Sequence, residues 1–170
     1  RTTMTPPLPH DPIALARDNW RRSGWEDAAD GMALVTSIMR IQQELLARID
    51  AELRHFDLTF ARYEVLMLLR FTQRGQLPLG KIGERLQVHP ASVTNVVSRL
   101  TDDGFIRKVP HPDDARSTLA AITEAGSRTA LAATEHLNRQ VFACLPLDDD
   151  DQVAVYERLA TVRHAFGDFT

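Results

Sequence analysis

The chain has 170 residues, 44% hydrophobic and 25% charged, with 20 Lys and Arg against 23 Asp and Glu for a net charge of −3. Those figures fit one globular domain with helical extensions and exclude disordered, collagen-like or coiled-coil-only chains. A single cysteine excludes an internal disulfide framework and a four-cysteine zinc site, and no apolar run approaches the ~20 residues that span a bilayer.

Arg1-Thr2-Thr3-Met4 lacks the apolar stretch and small-residue cleavage site of a secretory signal, so an irregular tail on a cytoplasmic protein is expected. Residues 1–26 read as an arm: prolines at 6, 7, 9 and 12, a helical pattern from Asp11, and Trp20 and Trp25 in a polar segment broken by Gly24. A short extra helix is predicted there. From Asp27 to Phe56 apolar residues recur at three-and-four spacing (Met32, Val35, Met39, Leu45, Leu46, Ile49, Leu53, Phe56), which predicts one long helix with acids near its start. Thr59 then caps a helix whose body, Tyr63 to Phe71, is apolar nearly all round and should be buried, with Gly75 and Pro78 ending it. A short helix over Leu79 to Leu86 places Ile82 and Leu86 inward.

Val88-His89-Pro90 is a tight break, with His89 near the N-cap and Pro90 at the first helical position of a helix running to Asp103. On that helix Val93, Val96, Val97 and Leu100 fall on one side, and Ala91, Asn95, Ser98 and Asp102 lie opposite, flanked by Ser92, Thr94 and Arg99. An outer face that is small, hydrogen-bonding and mostly uncharged is unusual for a surface helix. Gly104 closes the helix, Phe105 to Val109 and Ser117 to Ile122 read as paired strands, and Pro110 to Arg116 as a turn-rich loop. Thr123 caps a helix reaching about Cys144, Pro146 breaks it, and Asp148 caps a last helix with the stripe Val155, Leu159, Val162, Phe166.

The order is mainly helical with a small β-hairpin wing. It describes a winged helix-turn-helix over 58–122, flanked by helical dimerisation segments at 27–57 and 123–170. The second helix of such a pair enters the major groove, where short polar side chains reach base edges. Ser92, Thr94 and Asn95 have that chemistry, Asn suiting adenine, with Ser98 and Arg99 one turn later. The wing would place Arg116 in the neighbouring minor groove. Charge is distributed to match: from Arg62 to Arg116 nine basic residues face six acidic ones, and elsewhere eleven face seventeen. The bland alternative is a small bundle with a solvated polar face. The first long helix and the last two carry more apolar surface than one module can cover, which predicts a homodimer.

Leu100-Thr101-Asp102-Asp103-Gly104-Phe105-Ile106-Arg107, then Pro112-Asp113-Asp114-Ala115-Arg116, then Leu119 to Ile122 with Thr123-Glu124-Ala125-Gly126, resembles the signature of MarR-family transcription regulators. Leu58-Thr59, Val65-Leu66, Leu79 and Ile82 to Leu86 match its upstream pattern, so the resemblance covers roughly residues 32–166. It implies a dimer clamped by its terminal helices on a pseudo-palindromic operator of double-stranded DNA, usually repressing. It also implies that Arg116 enters the minor groove while Asp114 orients it through a carboxylate–guanidinium pair. The DNA-contacting set expected is His89, Ala91, Ser92, Thr94, Asn95, Ser98, Arg99, Arg107, Asp114 and Arg116.

Many members of that family are released from DNA by small anions or phenols. Trp20 on an N-terminal helix and an acid on the central helix, Glu64, resemble a branch answering urate or other metabolite anions, although Val96 stands where that branch has an arginine. Trp20, Arg62 and Glu64 are the expected effector pocket; the plain alternative packs Trp20 against the dimer and pairs Arg62 with an acid. Cys144, among Phe142, Ala143 and Leu145, is expected to be buried at the interface and inert. The six histidines are read as holding no local pair of metal-ligand spacing, so no metal residue and no cofactor is expected. With no phosphate-binding glycine loop, nucleophile elbow or HExxH pair, no enzyme is expected. A redox- or metal-sensing regulator of the same fold, or a winged-helix adaptor without DNA binding, are the alternatives.

Overall fold

In the computed structural model, Asp11 starts the first helix: its carboxylate accepts from the Ile13 amide at 2.9 Å and Pro12 occupies the first turn of α1 (Pro12–Arg22). The structure describes residues 8–112 and 114–170, without the side chains of Ala115 and Arg116. The irregular tail expected before residue 8 therefore lies outside the described residues. The arm folds back on α2 (Glu26–Leu53), held by an Arg21–Asp30 ion pair at 2.8 Å and an edge-to-face contact of Trp20 with Trp25. A 3-10 turn (Arg54–Phe56) follows that long helix, which stops at Leu53 and not at Phe56 as its apolar spacing predicts.

Thr59 caps α3 (Phe60–Arg70), and Asp50 of α2 also accepts from its first amide at 2.7 Å. Tyr63, Val65, Leu66 and Leu69 are buried on α3. Phe71 corrects the expectation: it follows the last turn and is 78% exposed, because the apolar run outlasts the helix that buries it. α4 (Leu79–Leu86) follows with the expected bounds, and α5 (Pro90–Asp102) starts where expected and ends one residue early, with Asp103 as its C-cap.

The wing has three strands, not two. β1 (Gln76–Pro78) pairs antiparallel with β3 (Asp114–Ile122), which pairs antiparallel with β2 (Ile106–His111). The segment Pro110 to Arg116, expected as a loop, is mostly strand: β2 continues through Pro110, whose missing N–H an edge strand tolerates, and a register shift follows it. Asp113 lies outside the described residues.

Thr123 caps α6 (Glu124–Gln140), accepting from Gly126 at 3.0 Å while its hydroxyl lies 2.8 Å from the Gly104 carbonyl. Gly126 is required by that approach: a Cβ there would sit 2.0 Å from the Phe105 carbonyl oxygen. A second 3-10 turn (Phe142–Cys144) precedes α7 (Asp149–Ala165), capped by Asp148. The core joins Ile49 and Leu53 of α2, the buried face of α3, Ile82, the inner face of α5, Ile106, Ala120, and Ala130, Ala133 and Leu137 of α6. No helix among the described residues is long and apolar enough to cross a membrane.

Candidate nucleic-acid interface

The helix pair α4–α5 is set by a close approach and a cap. A Cβ on Gly83 would lie 3.2 Å from Val93 Cγ2 and 3.3 Å from the Val88 carbonyl, so the two helices meet where one has no side chain. Nδ1 of His89 accepts from the Ala91 amide at 3.2 Å, so this predicted contact residue is also the N-cap of α5 and keeps Nε2 as its other polar atom. With Val93, Val97 and Leu100 buried against the core, Ala91, Ser92, Thr94, Asn95 and Arg99 are exposed and Ser98 is half-buried. The Thr94 hydroxyl donates to the Pro90 carbonyl at 3.1 Å and remains free to accept. Among the described residues Arg99 makes no salt bridge, which suits a guanidinium presented to phosphate or a base edge.

On the wing, Arg107 and Lys108 of β2 and Asp114 of β3 are exposed, Asp114 standing opposite His111 across the ladder. The Arg116 side chain, and with it the expected pairing to Asp114, lies outside the described residues. The helix-turn-helix and wing thus expose a helix of short polar side chains and, on β2, the neighbouring cations Arg107 and Lys108, whose side chains leave the strand on opposite sides. Groups of this kind suit recognition, through hydrogen bonds and charge, of a long polyanion with readable edges.

The three effector candidates are not gathered by one protomer. Trp20 packs on Trp25 in the arm. Arg62 donates to Asp103 at 2.8 Å and ties the start of α3 to the end of α5, so its acid partner lies 41 residues away, beyond the reach of local spacing. Two open grooves flank that pair. One, of about 620 Å³, is lined by Arg54, Asp57, Leu58, Thr59 and Phe105 with the pair itself, and the other, of about 260 Å³, by Thr59, Arg62, Asn95, Val96 and Arg99. Neither Trp20 nor Glu64 lines these grooves. Glu64 is half-buried on α3, and the loss of solvent raises its carboxyl pKa above the ordinary value.

Cys144 is exposed on the single protomer, its Sγ 3.0 Å from the Arg139 carbonyl, so the cover expected for it at an interface is not supplied by its own chain. One further expectation needs correction. Glu52 and His55 stand three residues apart, a Glu-x-x-His pair where none was expected. His136 joins them from α6, its Nε2 at 2.6 Å from Glu52 Oε2. The spacing of the first two was legible; the third required the fold.

Comparison with known proteins bears on the whole arrangement. The family model described as MarR family matches residues 58–118. Sco5413, a MarR family transcriptional regulator from Streptomyces coelicolor, has a solved structure that is 46% identical in sequence, with a TM-score of 0.76 over 82% of this chain and 97% of that one. The MarR family regulator Sco3205 from the same organism, solved in complex with DNA, is 20% identical, with a TM-score of 0.71 over 81% of this chain and 88% of that one. An HTH-type transcriptional regulator of Mycobacterium tuberculosis, MT0903.1, is 28% identical over 107 residues, 63% of this chain and 71% of that protein.

Proposed function

Because the chain belongs to the MarR family of transcription regulators, we propose that it is a sequence-specific double-stranded DNA-binding regulator that works as a homodimer. The observation that carries this reading is the outer face of α5, where Ser92, Thr94 and Asn95 are exposed beside Arg99 while the opposite face is buried. Short side chains let the helix backbone come close to base edges, and the cations of β2 and Arg99 neutralise phosphates on either side. Residues 27–57 and 123–170 supply the dimer contacts. Two copies then place their recognition helices about one DNA turn apart. A dimer covering two successive major grooves excludes other proteins from that stretch of promoter, which makes it a repressor where the operator overlaps the start site.

A small anionic or phenolic effector is the finer part of the same reading. The grooves beside the Arg62–Asp103 pair support it, since an anion competing for the Arg62 guanidinium would break the link between α3 and α5. Urate and related metabolite anions are the first to try, with Trp20 and Glu64 reaching the site only if the second protomer brings them there.

The test is fluorescence anisotropy on the DNA upstream of the chain's own gene, with salt titration. Binding should weaken steeply as salt rises. Arg116→Ala should weaken it by about tenfold or more on every sequence, whereas Asn95→Ala should lose about tenfold on the preferred site and little on altered ones. Indifference of the parent to any duplex at low salt, or both variants behaving as the parent does, would sink the assignment.

A further inference from the structure

Where α2 runs out, three side chains with metal-ligating atoms converge from separate elements. Glu52 is the second-last residue of α2, His55 lies in the 3-10 turn that follows, and His136 sits on α6. One ligand atom from each lies within 4.8 Å of the other two, and the tightest edge is the 2.6 Å contact of His136 Nε2 with Glu52 Oε2. In a tetrahedral site with bonds of about 2.0–2.1 Å, donor atoms stand roughly 3.3–3.5 Å apart. The Glu52–His136 edge is tighter than that by about 0.7–0.9 Å, and the other two edges lie within 4.8 Å. Opening the tight edge takes a small turn of the Glu52 carboxylate, half-buried at 30% side-chain exposure beside His136 at 24%, while the exposed His55 turns to set the other two edges.

We propose that Glu52, His55 and His136 form a binding site for a divalent transition-metal ion, with zinc as the best fit. Two imidazoles and one carboxylate suit a borderline ion; calcium and magnesium call for oxygen-only shells. Three protein ligands leave a fourth position for water. The aromatic setting supports the same geometry: His136 meets the edges of both His55 and Phe56, at 5.7 and 5.6 Å between ring centres, which fixes its ring plane beside the carboxylate. An ordinary histidine–glutamate hydrogen bond would need only two of these residues. A bound ion would clamp the segment entering the winged module to α6, the helix leaving it. The site stands on its own geometry and does not depend on the DNA-binding reading.

The experiment uses the full chain, stripped with a chelator and titrated with Zn²⁺ against a chromophoric competitor at pH 7.5. Expected are one zinc per chain and a melting temperature raised by about 5 °C in excess metal. His55→Ala, at an exposed position that leaves the fold intact, and Glu52→Gln should each weaken zinc at least tenfold. His164→Ala, on α7, should change nothing. Failure of the parent to hold zinc at tens of micromolar overturns the proposal, as does equal affinity in the parent, His55→Ala and Glu52→Gln. Magnesium competing at concentrations equal to zinc overturns the choice of ion class.

Discussion

α3 and α7 are both helices of mixed apolar and charged residues, yet one is the centre of the molecule and the other contributes nothing to its interior. On α3, Leu66 and Leu69 are fully buried and Tyr63 and Val65 nearly so. On α7 no residue is buried, and Val155, Leu159 and Val162 stay 45%, 38% and 39% exposed. α2 shows both behaviours along its length: Ile49 and Leu53 enter the core, while Leu34, Val35, Met39 and Ile41 lie open. The winged module closes its core within one chain, whereas the arms carry apolar stripes for which the chain itself has no cover. Stripes of that kind on a monomer mark a surface meant for association. The difference therefore separates what folds the protomer from what assembles it.

The comparison is broken most directly from the buried side. Leu66→Ala removes a side chain with 0% exposure from the meeting point of α3 with the rest of the core. Truncations of this type cost about 2–5 kcal/mol, and a site walled on all sides belongs at the upper end. The expected outcome is a melting temperature lower by roughly 10 °C, measured by circular dichroism, with the oligomeric state of the remaining folded protein unchanged. A variant that melts like the parent would mean that α3 is not the central element.

The opposite dissociation should come from α7. Leu159→Lys with Val155→Lys places two charges on the uncovered stripe, where the single protomer leaves room for them. Sedimentation should then show a monomer that keeps the helical circular-dichroism signal. DNA affinity should fall by about 100-fold, because one half-site must bind without the effective concentration that its partner supplied. A dimer that survives both lysines, or a chain that unfolds outright, would erase the line drawn between the two regions.

Legibility followed the same division. α4 and α5 could be bounded from the sequence because breaks bracket them: Pro78 before, Val88-His89-Pro90 between, Gly104 after. Gly83 and Gly126 look like weak points by helix propensity, and only the packed structure shows that each marks a close backbone approach. The short β1 was hidden because three residues carry no periodicity, and its pairing with β3 is decided by tertiary contact. Phe71 misled because an apolar run does not register where the hydrogen-bonded helix stops. The polar outer face of α5 was readable from spacing alone. The Arg62–Asp103 link and the meeting of His136 with Glu52 were not, since their partners stand 41 and 84 residues apart in the chain.

The finest test of the contrast lies on α3 itself, where packing has enclosed a charge. Burial of Glu64 disfavours its carboxylate and raises its folded pKa above the unfolded value. The folded state thus holds the proton more tightly, so the group's stabilising contribution is complete below the unfolded pKa and is lost as pH rises through the folded one. At neutral pH the enclosed charge is a cost, and Glu64→Gln should remove it. The expected gain is about 1–2 °C in melting temperature at pH 7.5 and smaller at pH 4, since acid neutralises the native carboxyl. Melts of both proteins at the two pH values decide the matter: an equal gain at both would assign the effect to packing, and a loss at pH 7.5 would mean that the carboxylate has a partner whose attraction outweighs its desolvation.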